Sequence, residues 1–264
     1  MKKFRTTVYA YYRRYGRDLP WRKTRDPFCI LVSEIMLQQT QVSRVLEKYP
    51  QFIRAFPDPV SLAKAPLGNV LNVWQGMGYN RRALALKKLA QRIVLEFGGK
   101  VPRQREQLLT LPGIGEASSG AICAFAFNKP EVFIETNIRS VFLHHFFRDK
   151  RRVSDEQLIP YIAKAMDRKN PRAWYSALMD YGVYLKGRMP NPSRRSLHYK
   201  AQGRFEGSDR QIRGRVLKEL LRKGRKDECS LISVLGTDRA RAERILASLR
   251  KEGLVTKRGR FLTV

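Results

Sequence analysis

Three stretches of this chain place residues that could do chemistry. Glu34, Gln38 and Gln41 recur at i, i+4 and i+7 within an apolar-periodic segment, the spacing that puts side chains on one helical face. A carboxylate beside amides, bordered by apolar positions, can offer protons and hydrogen bonds to a polar ligand. The other use of such a stripe is a solvated face, which on this chain would normally carry Lys or Arg. Glu135 is a second carboxylate, set in otherwise apolar and neutral sequence at Ile134-Glu135-Thr136-Asn137. Between the two lies Leu111-Pro112-Gly113-Ile114-Gly115. Pro112 stops an incoming helix. Gly113 and Gly115 allow a tight turn with unscreened N–H groups. A helix expected over 117–127 opens with further unpaired donors, which suit an anion such as a phosphate. A Gly-Pro turn between two packed helices would use the same five residues.

Charge indicates where such an anion would come from. Lys and Arg number 53 against 23 Asp and Glu, a net charge of +30. An imbalance this large, spread along the whole length, points to a polyanion, and nucleic acid is the expected one. No lipid signal, basic amphipathic helix, signal-peptide core or bilayer-length apolar run is present, so no membrane partner is expected. The expected setting is cytoplasmic and nucleoid-associated, and the expected state a monomer. Cys29, Cys123 and Cys229 are far apart and lie in apolar or helical patterns. They read as small packed residues, leaving neither zinc nor an iron–sulfur cluster a ligand set. No metal or cofactor is expected from side chains.

The scaffold that must position these groups is nearly all helical. Phe4, Val8, Tyr11, Tyr12 and Tyr15 share a face, with Gly16 ending that helix. A long helix is expected from about Phe28 to Lys48. Shorter ones follow over 51–56, 60–64 and 69–75, and then the tight turn Gly76-Met77-Gly78-Tyr79. Asn80 to Phe97 should be amphipathic, with Leu84, Leu86, Leu89, Ile93 and Leu95 inside. Helices are expected over 138–147, 155–166 and 171–185. Residues 186–207 are rich in Pro, Gly and basic side chains and read as a linker or basic strap. The pattern restarts at Ser208: three helices, the third capped by Thr237, then a hairpin around Lys257-Arg258-Gly259-Arg260. This resembles a winged helix–turn–helix, which would grip DNA through Arg239, Arg241, Lys257 and Arg258 or else pack on the main domain. The expected domains are 1–200, with a helix–hairpin–helix at about 105–127, a linker at 201–207, and 208–264.

The order of the motifs DLPWR, ILVSEIMLQQTQV, WQGMGY, LPGIG and IETN resembles the helix–hairpin–helix DNA glycosylases, and within them the A/G-specific adenine glycosylases. The resemblance covers roughly residues 4–185 and implies a two-lobed helical fold. It implies Glu34 as catalytic acid, with Glu135 steadying or attacking the sugar cation and Asn137 beside it. Arg22, Trp21 and Gln38 would line the base pocket, with Asp180 and Arg17 behind them. Gln39, Thr40, Gln41 and Tyr79 would meet the duplex, and Pro112, Gly113, Ile114 and Gly115 its phosphates. The family hairpin can also hold a monovalent cation through backbone carbonyls. The chemistry agrees: cleaving an N-glycosidic bond needs a protonated leaving base and a stabilised sugar cation, hence two carboxylates of unequal pKa. Glu34, amid Ile30, Ile35 and Leu37, should keep its proton. The base must leave the stack to be reached.

The chain departs from this family in five places. Glu135 stands where the family has Asp, and one extra methylene displaces the carboxylate by about 1.5 Å. Ala117 occupies the position of the lyase Lys of bifunctional members, so no Schiff-base chemistry is expected. Lys186 stands where the first Cys of the family's cluster would be. The 8-oxoguanine-reading domain is replaced by the C-terminal module. Asn80 replaces a Tyr. The expected function is excision of adenine mispaired with G or 8-oxoguanine in double-stranded DNA. The alternatives are a glycosylase for another damaged or mismatched base, such as thymine, and a non-catalytic binder of damaged DNA.

Overall fold

The computed structural model describes residues 1–264 and is mainly helical, with strands confined to residues 225–263. Twelve helices come first: α1 Lys2–Tyr15, α2 Pro20–Lys23, α3 Pro27–Leu37, α4 Val42–Ala55, α5 Pro59–Lys64, α6 Leu67–Trp74, α7 Arg81–Phe97, α8 Arg105–Leu109, α9 Glu116–Phe127, α10 Thr136–Phe146, α11 Asp155–Ala165 and α12 Pro171–Arg188. A 3-10 turn, Pro192–Arg195, precedes α13 Asp209–Lys223, β1 Arg225–Asp227, α14 Glu228–Ser233, α15 Arg239–Lys251, β2 Thr256–Arg258 and β3 Phe261–Thr263. No helix is long and apolar enough to cross a membrane. The chain forms two compact units, residues 1–34 with 102–201 and residues 35–101 with 202–264. The division expected near residue 200 is therefore only part of the structure, because residues 35–101 group with the C-terminal module.

In the first unit, α1, α10 and α12 share one core. The Phe4 ring meets Phe142 at 5.4 Å and Trp174 at 5.9 Å, both edge-on, the geometry that aromatic quadrupoles favour. The α1 face is narrower than expected: Phe4 and Val8 are buried, but Tyr15 is 54% exposed. α12 lies so close to α10 that a methyl group at Gly182 would sit 2.5 Å from the Asn137 carbonyl oxygen. The residues after α12 form a strap on α10. Ser193 Oγ donates to the Thr136 carbonyl at 3.1 Å and lies 2.7 Å from Ser140 Oγ. Arg195 donates to the carbonyls of Leu143 at 3.0 Å and Phe147 at 2.8 Å, and to that of Arg148, completing the open end of α10.

In the second unit, α13 to α15 carry a three-stranded antiparallel sheet in the order β1-β3-β2. Leu217, Leu220, Ile245, Leu246, Leu249 and Leu262 are buried there. α13 packs on α6, and Leu221 lies 3.9 Å from the methyl position of Gly68. β1 has no alternating pattern and was not expected from sequence. Asp238, not Thr237, caps α15, accepting from the Arg241 N–H at 2.8 Å. Leu95 is 85% exposed: it lies two residues past Ile93, on the opposite face from the buried Ala83, Leu86, Ala90 and Ile93.

The long helix expected over 28–48 breaks. α3 ends at Leu37, Gln39 takes a left-handed φ of +53°, and α4 starts at Val42. A tertiary contact imposes the break. Arg82 Nη1 donates to the carbonyls of Ile35, Met36 and Gln38 at 3.0, 2.9 and 2.5 Å. Arg82 Nη2 donates to Thr40 Oγ1 at 2.8 Å and to the Met77 and Gly78 carbonyls, each at 3.1 Å. The carbonyls that would have continued the helix are taken by one guanidinium. Glu34, Gln38 and Gln41 therefore do not share a helical face: only Glu34 is on α3, and Gln41 precedes α4 in extended conformation.

Candidate active site

The polar centre of the first unit is built on two carboxylate sites. At the first, Asp180 on α12 is 2% exposed. Arg22 of α2 grips it with two parallel hydrogen bonds, Nη1 to Oδ2 and Nη2 to Oδ1, each 2.8 Å. Arg17 adds its backbone N–H at 2.8 Å and its Nε at 2.7 Å. Burial works to raise the Asp180 carboxyl, but the hydrogen bonds and charges of Arg22 and Arg17 outweigh it and hold it below the usual range. The DLPW turn thus serves to deliver Arg17 and Arg22 to α12, with Trp21 buried beside them.

At the second site, Glu34 near the end of α3 is half-buried. Burial raises its carboxyl to about 8; the negative charge of Glu135 pushes the same way, and Arg22 opposes both. Glu34 accordingly keeps its proton through neutrality. Glu135 is the N-cap of α10. Its Oε1 accepts from the N–H groups of Asn137 at 2.8 Å and Ile138 at 2.9 Å, and its Oε2 from Asn137 Nδ2 at 3.0 Å. The extra methylene is absorbed here, because the side chain folds back on its own helix as a shorter cap residue would. Burial raises the Glu135 carboxyl as well, against the lowering effect of those N–H donors and of the Lys186 and Arg139 charges. Asn137 Oδ1 is buried with no donor. Lys186, one turn beyond Gly182 on α12, is half-buried; burial lowers its ammonium pKa while the Glu135 charge raises it. Sequence reading placed Lys186 at the start of the strap, where the family's first cluster Cys would stand, and gave it no part beside Glu135. The arrangement offers a held proton at Glu34 and a second carboxylate fixed by backbone donors.

The hairpin between α8 and α9 belongs to the same unit. Gly113 has φ of +82°, Ile114 is buried as its anchor, and Gly113 and Gly115 are exposed. The helix starts at Glu116, a residue earlier than expected, and Gly115 provides no side-chain cap. Arg105 braces the turn from α8, reaching Glu116 at 2.9 Å and the Val132 carbonyl at 3.1 Å; nothing in the sequence marks it. The remaining predicted residues, Gln38, Gln39, Thr40, Gln41 and Tyr79, fall in the second unit. So do the four basic residues of the C-terminal module, three of them paired internally. Arg239 meets Glu243 at 2.8 Å, Arg241 meets Asp209 at 2.8 Å, and Lys257 binds Glu228. Arg258 is exposed. Cys29, Cys123 and Cys229 stand on α3, α9 and α14, and no three metal-ligating side chains converge. These residues do not fit the cluster carried by the family the motifs resemble.

Comparison with known proteins identifies the family. Residues 32–166 match the model of the HhH-GPD superfamily base excision DNA repair proteins. The chain belongs to the HhH-GPD superfamily. Among its relatives is the adenine DNA glycosylase of Mycobacterium tuberculosis, 34% identical over 280 aligned positions that cover 97% of this chain and 92% of that protein. The adenine DNA glycosylase of Buchnera aphidicola subsp. Baizongia pistaciae is 38% identical over 144 residues, 54% of this chain and 41% of that one. A solved thermostable thymine-DNA glycosylase superposes with a TM-score of 0.62 at 28% identity, covering 69% of this chain and 85% of its own. This HhH-GPD protein is a DNA N-glycosylase of base excision repair. The matched span takes in Glu34, the hairpin, Glu135 and Asn137 but not Arg17, Arg22 or Asp180.

Proposed function

We propose that this HhH-GPD enzyme is a monofunctional adenine glycosylase that acts as a monomer on duplex DNA, at adenine opposite G or 8-oxoguanine. The observation that carries this reading is the Glu34 carboxyl, raised to about 8 by burial and by the charge of Glu135. A carboxyl that holds its proton at neutral pH can protonate the adenine ring and turn it into a leaving group. Glu135, held by the N–H groups of Asn137 and Ile138, keeps lone pairs on both oxygens for the sugar cation. Asn137 Oδ1, buried without a donor, is an acceptor for a sugar or water hydroxyl. Arg22, positioned by Asp180, and Trp21 line the base pocket. The hairpin backbone holds phosphate, and Gln39, Thr40, Gln41 and Tyr79 meet the duplex. Ala117 in place of the lyase Lys makes the reaction hydrolytic. The order helix–strand–helix–helix–strand–strand of residues 208–264 supports reading this module as a winged helix.

The structural likeness to a thymine-DNA glycosylase favours a second reading, excision of mismatched thymine. One panel separates the two: duplexes carrying A opposite 8-oxoguanine, G or C, and T opposite G, each treated with alkali after incubation. Strand scission only at the adenine mispairs is expected. Scission only at T·G selects the second reading, and none at any duplex rejects both. Borohydride should trap no covalent complex, and a trapped product would assign lyase chemistry to an amine such as Lys186.

A further inference from the structure

We infer that Lys186 holds one of the two phosphates attached to the sugar of the target nucleotide. The inference deepens the reading above and rests on Glu135 acting at that sugar.

Two contacts fix where Lys186 lies. One turn earlier on α12, a methyl group at Gly182 would sit 2.5 Å from the Asn137 carbonyl oxygen. Beyond it on the strap, Ser193 Oγ donates to the Thr136 carbonyl at 3.1 Å. The chain on both sides of Lys186 is therefore seated against the first turn of α10, whose N-cap is Glu135. Lys186 is half-buried there, and its charge and that of Glu135 act on each other. It makes no hydrogen bond or ion pair within the protein. A half-buried ammonium gives up part of its hydration and needs an anion in return. Glu135 does not fill that need, because both its oxygens accept from donors of α10.

The charges of the site lead to the same place. Asp180 and Glu135 are its anions, and Arg17, Arg22 and Lys186 its cations. Glu34 keeps its proton and adds no charge. Arg139, the other cation acting on Glu135, is taken by Asp155 at 2.7 Å. A positive charge is left over, and it is the ammonium without a partner. Glycosidic cleavage puts a further positive charge on the sugar. An uncompensated cation beside that sugar opposes the reaction unless the substrate brings an anion with it. DNA brings one on the same nucleotide, since deoxyribose carries a phosphate at both C3′ and C5′. A compact ammonium on a flexible four-carbon stem suits a phosphate oxygen.

The test uses the full-length protein and adenine-mispair duplexes in which either linkage flanking the target nucleotide is a methylphosphonate, which removes that phosphate's charge. On ordinary DNA, Lys186→Met should slow single-turnover excision about tenfold, the size of one charge-assisted hydrogen bond, and Lys186→Arg should restore most of the rate. At one of the two neutral linkages wild type should slow by about the same factor, and Lys186→Met should slow no further. Lys186→Gln serves if Lys186→Met misfolds. Fluorescence anisotropy on duplexes with tetrahydrofuran at the target position should repeat this coupling in affinity, and Lys186→Met should lower the salt slope by about one. Losses that add at both linkages overturn the inference and leave the ammonium acting through Glu135 alone. Wild-type rates and affinity in Lys186→Met overturn it as well. Excision in the lesion panel without the coupling sinks the phosphate contact alone. Coupling in affinity without excision sinks the adenine reading alone.

Discussion

The first unit buries two carboxylate sites and treats them in opposite ways. Asp180 is enclosed by two guanidiniums and a backbone N–H and stays ionised. Glu34 is half-buried, with the charge of a second carboxylate adding to burial and one cation opposing, and its carboxyl rises to about 8. Burial pushes both groups upward, so burial does not distinguish them. What does is the supply of partners. Enough donors turn a buried carboxylate into a structural tie, and too few turn it into a proton store. Arg22 takes part in both, gripping Asp180 with two hydrogen bonds and touching Glu34 only through its field.

This contrast breaks first at Glu34. Glu34→Gln should lower the single-turnover rate about a thousandfold, within the range for a lost general acid, while duplex affinity stays near that of wild type. A rate within tenfold of wild type would mean that Glu34 stores no useful proton. Next in size, Asp180→Asn should destabilise the protein by about 3–5 kcal/mol in denaturant unfolding, because it leaves two guanidiniums without their anion. A loss under about 1 kcal/mol would reduce the tie to a surface ion pair.

The pH dependence of stability sharpens the contrast, since its sign differs between the two sites. Glu34 titrates near 8 when folded and near 4.5 otherwise. The folded chain therefore binds the extra proton between those values, and stability falls as pH rises through the folded pKa. Glu34→Gln should remove about 2–3 kcal/mol of that alkaline loss, seen as a smaller fall in Tm between pH 5 and about 9. Asp180 is lowered when folded, so its contribution is present above its unfolded pKa of 3.8 and is lost as pH falls through the folded value. Asp180→Asn should therefore flatten the acid limb instead. The smallest effect concerns Glu135. Glu135→Gln keeps the acceptor for the Asn137 and Ile138 N–H groups and should cost less than about 1 kcal/mol, whereas Glu135→Ala loses the cap and should cost about 1 kcal/mol. Removing the Glu135 charge should also lower the Glu34 pKa, moving the alkaline limb of the rate profile toward neutral pH.

Much of this was legible in the chain. The apolar period of α7 depends on contacts within a turn or two, which composition encodes directly. The hairpin could be read because Pro112 and Gly113 restrict the backbone wherever they occur. Glu34 and Glu135 stood out because isolated acids in apolar sequence are rare on a basic chain. Arg82 did not stand out among so many arginines, and it ends α3 and shapes the Gln39 turn through acceptors 42 to 47 residues away in sequence. Arg105 and Arg195 were hidden for the same reason. Leu95 was misplaced because helical period alone does not say which face meets the core.

The sequence by itself determined that the chain is helical, basic and punctuated by a glycine hairpin between two helices, and that two acids, Glu34 and Glu135, sit where acids are unexpected. Only the tertiary structure decided the charge state of the buried acids. Asp180 meets Arg17 and Arg22 across 163 and 158 residues of chain, and Glu34 feels Glu135 from another helix. A pKa is set by desolvation and by charges a few ångströms away, and neither exists until distant segments pack.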